Sequence, residues 1–214
     1  MFVSDWMTKK VFTVSPDDSL TDAVALLKEK RIKHLPVVKD DTLEGILSDR
    51  DIKEYTPSKS TTLDVFELHY LLAKTKVKEV MKTEIITTTP DTSIEEAAMI
   101  MYDNNIGCLP VIERERLVGI ISDRDIFRVL VDITGVRHGG ARIFVILEDR
   151  PGSIKEAVDI IRRYGFSLQS ILTSYAGMKE GFREVVIRTK GDGDFETMRS
   201  ELEKAYKDIK IKKR

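Results

Sequence analysis

Two pairs of side chains in this sequence could do chemistry together: Ser48 with Asp51, and Ser122 with Asp125. Each pair stands three residues apart inside an octapeptide, GILSDRDI at 45–52 and GIISDRDI at 119–126, which agree at seven of eight positions. An apolar, strand-like run precedes each pair and a helical pattern follows it. A strand, a turn and a helix start leave backbone N–H groups and a partial positive charge where a phosphate can sit. A serine hydroxyl there can donate to a phosphate oxygen. An ionised aspartate only accepts, and its two oxygens match the neighbouring hydroxyls of a ribose. The neutral stretch VFTVSP at 11–16 would supply a slot for a flat base. This chemistry suits a nucleoside phosphate. A plainer reading uses the same residues: Ser-x-x-Asp before an apolar run is a capping box that needs no ligand, and the glycine ahead of it can mark close backbone packing in a strand.

The elements that must position these pairs are themselves duplicated. Sliding the chain by 74 residues aligns 3–52 with 77–126 without a gap, and 19 of the 50 positions are identical. Met7 falls on Met81, Thr13 on Thr87, Pro16 on Pro90, Ala23 on Ala97, and Leu35-Pro36-Val37 on Leu109-Pro110-Val111. Each half is therefore one structural unit. In each, a short apolar strand (VFTV or EIITTT) runs into Ser15-Pro16-Asp17-Asp18 or Thr89-Pro90-Asp91-Thr92. A Ser or Thr cap with proline at the first helical position predicts a helix start there. The stripes Leu20, Ala23, Val24, Leu27 and Ile94, Ala97, Ala98, Met101 predict the buried helix face. HLPVV and LEGILS, then CLPVI and LVGIIS, predict two strands, with turns at Asp40-Asp41 and around Glu113-Arg114, and Ser48 and Ser122 each open another helix. The unit reads β-α-β-β-α, too small for a full core alone, so two copies should pack together. Between them, Thr56 to Thr62 reads as a loop, and Leu63, Phe66, Tyr70 and Leu71 stand at helical spacing.

With LPVV and GILSDRDI in place and repeated in register, residues 1 to about 132 resemble a tandem pair of CBS domains, the regulatory arrangement called a Bateman module. The resemblance implies that the G-x-x-[ST]-x-x-D run binds ribose and phosphate, and that the first strand and the LPV region line an adenine pocket. Ser48 and Ser122 would then face phosphate, and Asp51 and Asp125 ribose. Thr13 and Val14, or Thr87 and Thr88, would line the base sites with Pro36 and Pro110. Arg50 and Arg124 occur in both copies, whereas Lys33-His34 in the first copy is Gly107-Cys108 in the second. If those side chains face the clefts, the first should suit a more highly charged phosphate group.

After Ile133 the pattern changes. TGVRHGGAR reads as a linker, followed by strand RIFVILE, a turn at Asp149 to Ser153, and a helix bearing Ile154, Ala157, Val158 and Ile161. Strand SLQSILTSY, a turn at Gly177 to Gly181, strand REVVIRT, helix FETMRSELEKAY and strand DIKIKKR complete β-α-β-β-α-β. That order predicts a ferredoxin-like antiparallel sheet with two helices on one face. The stretch LEDRPGSI resembles an ACT domain, which implies an effector site, usually for an amino acid, at the turn of Asp149 and Gly152. The same Asp-Arg-Pro-Gly is also simply a good strand-to-helix turn. The order CBS-CBS-ACT resembles the acetoin utilization AcuB-like family. The expected class is α+β, with a first CBS domain over 1–58, a connecting helix and second CBS domain over 59–132, a linker over 133–140 and an ACT-like domain over 141–214.

Other function classes are weakly supported. The 35 basic and 36 acidic residues give a formal charge of −1, so no bulk field draws nucleic acid or anionic lipid. Apolar runs are too short to span a bilayer and the N-terminus lacks a signal-peptide core, which points to the cytoplasm. One cysteine, Cys108, excludes an internal disulfide and reads as a buried structural thiol. His34, His69 and His138 have no metal-ligand spacing, and KGDGDFE at 190–196 reads as a solvated turn with Asp194 capping a helix rather than a calcium loop. One Gln and two Asn beside abundant Lys and Glu is the bias of a thermophilic source. The expected protein is no enzyme. It is a regulator, a homodimer or higher, that binds an adenosine nucleotide (AMP, ADP, ATP or S-adenosylmethionine) without metal, and it modulates a metabolic enzyme or other partner. The alternative is an interaction protein whose modules only dimerise.

Overall fold

The computed structural model describes residues 1–56 and 65–213. The expected loop over 56–62, beyond Thr56, and Leu63 lie outside the described residues. The chain divides into two compact units, Met1–Ile126 and Phe127–Arg214.

In the first unit, a single turn α1 (Val3–Trp6) precedes α2 (Leu20–Lys30), β1 (His34–Lys39), β2 (Thr42–Ser48), α3 (Asp49–Tyr55) and α4 (Val65–Lys74). A short 3-10 turn (Val77–Glu79) then leads to α5 (Ile94–Asp103), β3 (Cys108–Glu113), β4 (Arg116–Ser122) and α6 (Asp123–Ile133), whose later residues belong to the second unit. The apolar stripes are buried as their periodicity predicts: Leu20, Ala23 and Leu27 on α2, and Ile94, Ala97 and Met101 on α5. Leu20, Ala23 and Leu27 pack with Val14, Leu35, Val37, Leu47 and Ile52 into one core. Both hairpins turn through two residues of positive φ, Asp40 and Asp41 in β1–β2, Arg114 and Glu115 in β3–β4. That backbone twist matches the twist of the paired strands.

Two local expectations are corrected. The N-caps lie four residues after the predicted ones, at Ser19 and Ser93. Ser15 to Asp18 instead closes a turn of its own, in which the Asp18 N–H donates to Ser15 O at 3.1 Å and the Asp18 carboxylate accepts the Ser15 N–H at 2.7 Å. The first predicted strand of each copy is reduced to one parallel bridge, Val14 to Val37 and Thr88 to Val111. Proline explains the truncation. The Val14 N–H donates to Pro36 O and the Val38 N–H to Val14 O, but the next donors along the ladder would be Pro16 and Pro36, which have no N–H. Pro90 and Pro110 do the same in the second copy.

The two copies are joined by an exchange of their leading segments. The Val3 N–H donates to Thr92 O and the Ile94 N–H to Met1 O, so the start of the chain sits on the second copy. Conversely, the Val77 N–H donates to Asp18 O and the Leu20 N–H to Thr75 O, so the lead of the second copy sits on the first. Thr8 pairs with Ile120 on β4, and Lys82 with Ile46 on β2.

The second unit contains β5 (Ala141–Glu148), α7 (Ser153–Arg163), β6 (Ser167–Ser174), β7 (Phe182–Lys190), α8 (Phe195–Ala205) and β8 (Ile209–Lys213). They form one antiparallel sheet in the order β6-β7-β5-β8. Ile143, Val145 and Ile187 of the sheet share a core with Ala157 and Ile161 of α7 and Met198 and Leu202 of α8. Strand periodicity of two and helical spacing thus converge on one apolar layer. Asp194 caps α8, accepting the Thr197 N–H at 3.1 Å.

Candidate ligand clefts

The Ser-x-x-Asp pairs stand where the sequence predicts them, at the step from β2 to α3 and from β4 to α6. In the first copy the Asp51 carboxylate accepts both the Ser48 N–H, at 2.8 Å through Oδ2, and the Ser48 hydroxyl. The Ser48 Oγ in turn accepts the Asp51 N–H at 3.2 Å. In the second copy Asp125 Oδ2 accepts the Ser122 N–H at 3.0 Å and its hydroxyl at 2.7 Å. The first pair is thus closed as a capping box, and in the second the Asp125 carboxylate holds Ser122 by the same two acceptances. Further helix donors are also spent locally. The Asp49 N–H reaches Lys33 O and the Asp123 N–H reaches Gly107 O, each at 3.0 Å, and the Arg124 N–H reaches the Asp123 carboxylate at 2.6 Å. The helix starts therefore offer a phosphate fewer free N–H groups than the sequence suggests.

The strand leading into each pair is covered by the leading segment of the other copy, which sequence reading missed. A Cβ on Gly45 would lie 2.5 Å from Met81 Sδ and 3.1 Å from Lys82 O, and Gly119 stands in the same relation to Met7. A side chain at either position would crowd the methionine, and at Gly45 a backbone carbonyl as well, which supports the close-packing reading of the octapeptide glycine. The signal was the alignment of Met7 with Met81, which marked the position without saying which glycine each methionine covers. From this segment the Lys82 ammonium lies 3.1 Å from Asp51 Oδ1. Burial opposes ionisation of Asp51, but the Ser48 hydrogen bonds and Lys82 outweigh it and hold its carboxyl below the usual range.

The remaining predicted residues scatter more widely. Thr13 and Thr87 are exposed, while Val14 and Thr88 are buried, Val14 within the core of the first copy. Pro36 and Pro110 are buried, and Arg50, Arg124 and Lys33 are exposed. His34 does not supply the expected cation. Its ring would meet a Cβ on Gly107 at 3.1 Å, and burial pushes its pKa below the ordinary value of 6.5 despite Asp123, which disfavours the charged form. Its counterpart Cys108 is buried, and burial beside Asp123 pushes the thiol up to about 12.

In the second unit, Asp149 and Gly152 share the turn between β5 and α7. Gly152 opens α7 at φ +88°, a backbone that side chains rarely adopt, and a Cβ there would meet nothing within 4 Å. Asp149 Oδ1 lies 3.5 Å from the Arg183 guanidinium and accepts from the Tyr175 hydroxyl at 3.4 Å. Arg183 also donates to the Ser153 hydroxyl at 2.9 Å. Among the described residues no cluster of three or more His, Cys, Asp or Glu could hold a metal, and no helix is long and apolar enough to cross a membrane.

The doubled fold and its paired octapeptides have a counterpart in known sequences: the family model described as CBS domain matches residues 3–58 and again 77–132. The chain belongs to the CBS-domain family. The CBS domain-containing protein YhcV of Bacillus subtilis is 35% identical over 124 residues, covering 58% of this chain and 81% of that protein. The crystal structure of a candidate acetoin utilization protein (AcuB) from Vibrio cholerae is 32% identical, with a TM-score of 0.54 over 64% of this chain and 95% of that one. CBSX2, solved in complex with AMP, is 28% identical with a TM-score of 0.52, covering 62% and 97%. The CBS domain pair of MJ0100, solved with 5′-methylthioadenosine and S-adenosylmethionine, is 27% identical with a TM-score of 0.50, covering 61% and 95%.

Proposed function

We propose that this CBS-domain protein is a ligand-sensing regulator that binds an adenosine nucleotide in its CBS pair and passes the change to a metabolic partner. The observation that carries this is the duplicated Ser-Asp pair, each set at a helix start after a strand covered by the leading segment of the other copy. The adenosine ligands of CBSX2 and MJ0100 support the ligand class. In this reading Asp51 and Asp125 take the ribose, Ser48 and Ser122 with Arg50, Arg124 and Lys33 take phosphate, and Thr13 and Thr87 border the base. AMP, ADP, ATP and S-adenosylmethionine are the ligands to try. The division at 1–58, 59–132, 133–140 and 141–214 belongs to the same proposal.

The C-terminal unit is proposed as a ferredoxin-like ACT domain, as in an AcuB-like architecture, with an amino-acid effector at Asp149 and Gly152. Its element order and the strand order β6-β7-β5-β8 support that reading. Self-association as a homodimer is proposed from exposed apolar side chains such as Phe66, Tyr70, Tyr102 and Phe127. Light scattering should then give at least twice the 24.4 kDa chain mass. No catalytic role is proposed.

One observation favours the purely structural alternative: Ser48 and Asp51 are closed as a capping box, and the Asp125 carboxylate is likewise engaged by Ser122. Thermal melting with each adenosine ligand separates the readings, because a ligand of the native state raises the midpoint by mass action. A sensor gives a rise that Asp51→Ala and Asp125→Ala together abolish, each loss amounting to roughly tenfold to a hundredfold in affinity. A structural protein gives no rise with any of them.

A further inference from the structure

Asp51 has two carboxylate oxygens with different duties. Oδ2 receives both Ser48 donors, so Oδ1 is the oxygen left for a ribose hydroxyl. That oxygen is buried, on a residue only 7% exposed, and it faces the Lys82 ammonium at 3.1 Å. The Lys82 backbone is pinned by two 2.9 Å hydrogen bonds with Ile46, while its side chain remains 64% exposed and free to swing on its four-carbon stem. A ribose hydroxyl approaching Oδ1 would meet that ammonium.

We propose that Lys82 is a charge-gated latch on the first cleft, which opens to adenosine ligands carrying a phosphate and resists neutral nucleosides. This rests on the ligand-sensing function proposed above. A nucleotide gives the displaced ammonium a new anionic partner as the ribose takes Asp51, so an ion pair is exchanged for an ion pair. Adenosine breaks the Lys82–Asp51 pair with nothing to replace it, which leaves a charge imperfectly paired. In the second cleft the same backbone place is held by Thr8, hydrogen-bonded to Ile120 at 2.9 and 3.0 Å, and its side chain is neutral. Asp125 there is half-buried rather than buried. The repeat therefore presents one cleft with the lysine and one without it, on matching backbones.

Titration calorimetry on the full chain tests the latch, with AMP and adenosine as probes. An Asp125→Asn background leaves the first cleft to be measured, and AMP should bind there about tenfold or more tightly than adenosine. Adding Lys82→Thr should weaken AMP and strengthen adenosine, opposite movements that a loss of packing cannot produce. Lys82→Arg should keep the preference, and unfolding midpoints check that each variant is folded. If Lys82→Thr shifts both ligands in the same direction, or leaves their ratio unchanged, the latch is wrong. If neither ligand binds the wild-type chain at all, the ligand-sensing function itself fails, and the latch with it.

Discussion

Gly45 of one CBS copy and Met81 of the other meet so closely that a single added carbon on Gly45 would lie 2.5 Å from the methionine sulfur. Lys82 O, 3.1 Å from the same point, cannot yield as a side chain can. Gly45→Ala should therefore destabilise the first unit by about 1–3 kcal/mol, the usual cost of overpacking. Thermal unfolding should show a loss of several degrees, and Met81→Ala on that background should recover part of it through coupling between neighbours. An unchanged midpoint for Gly45→Ala would show that the contact relaxes freely.

Asp51 should make stability depend on acid. Its folded carboxyl is held below the ordinary value by Ser48 and Lys82 against the pull of burial. The stabilisation is then complete above the unfolded value of about 3.9 and is lost as pH falls through the folded value. Asp51→Asn should cost about 1–2 kcal/mol at pH 7. The gap between variant and wild type should hold from pH 8 to 5 and close below about pH 4. A gap that stays constant into strong acid would exclude Asp51 as its source.

Cys108 should be silent in the folded chain. With its thiol pushed up to about 12, the thiolate fraction at pH 8 is on the order of 10⁻⁴. Maleimide should label it slowly in buffer and rapidly in urea, which makes this single cysteine a probe of unfolding in the first unit. Equal labelling rates in the two conditions would contradict the burial. Above about pH 8.5 the unfolded state ionises first, so stability should decline as the pH rises further.

Gly140 should be the least replaceable glycine of the second unit. Its φ is +102°, and a Cβ there would collide with the backbone carbonyl of Thr189. Gly140→Ala should cost at least about 2 kcal/mol from strain and overlap together. Gly139→Ala, where a Cβ would meet nothing within 4 Å, is the control and should leave the midpoint nearly unchanged. Similar losses for the two variants would refute the collision.

Much of this protein was decided locally and is legible in the chain. The 74-residue repeat, the buried stripes of α2 and α5, the hairpins and the Ser48 and Ser122 caps follow from periodicity, turn chemistry and spacing over a few residues. So does the β-α-β-β-α-β order of the second unit. Where local signals competed, the outcome was less legible. Ser15-Pro16 looks like a helix start, yet the Asp18 carboxylate turns back on the Ser15 N–H and Ser19 caps the helix instead. Tertiary structure alone decided which copy completes which cleft. Met7 could by sequence cover Gly45 or Gly119, because a repeat makes the two partners chemically alike. Only the three-dimensional path of the chain brings Met81 and Lys82 onto the first hairpin and Met7 and Thr8 onto the second. The pairing of Lys82 with Asp51, 31 positions apart in the chain, is invisible to any local pattern because it depends on that exchange. Burial in the folded chain likewise disfavours the cationic form of His34, which the sequence does not show.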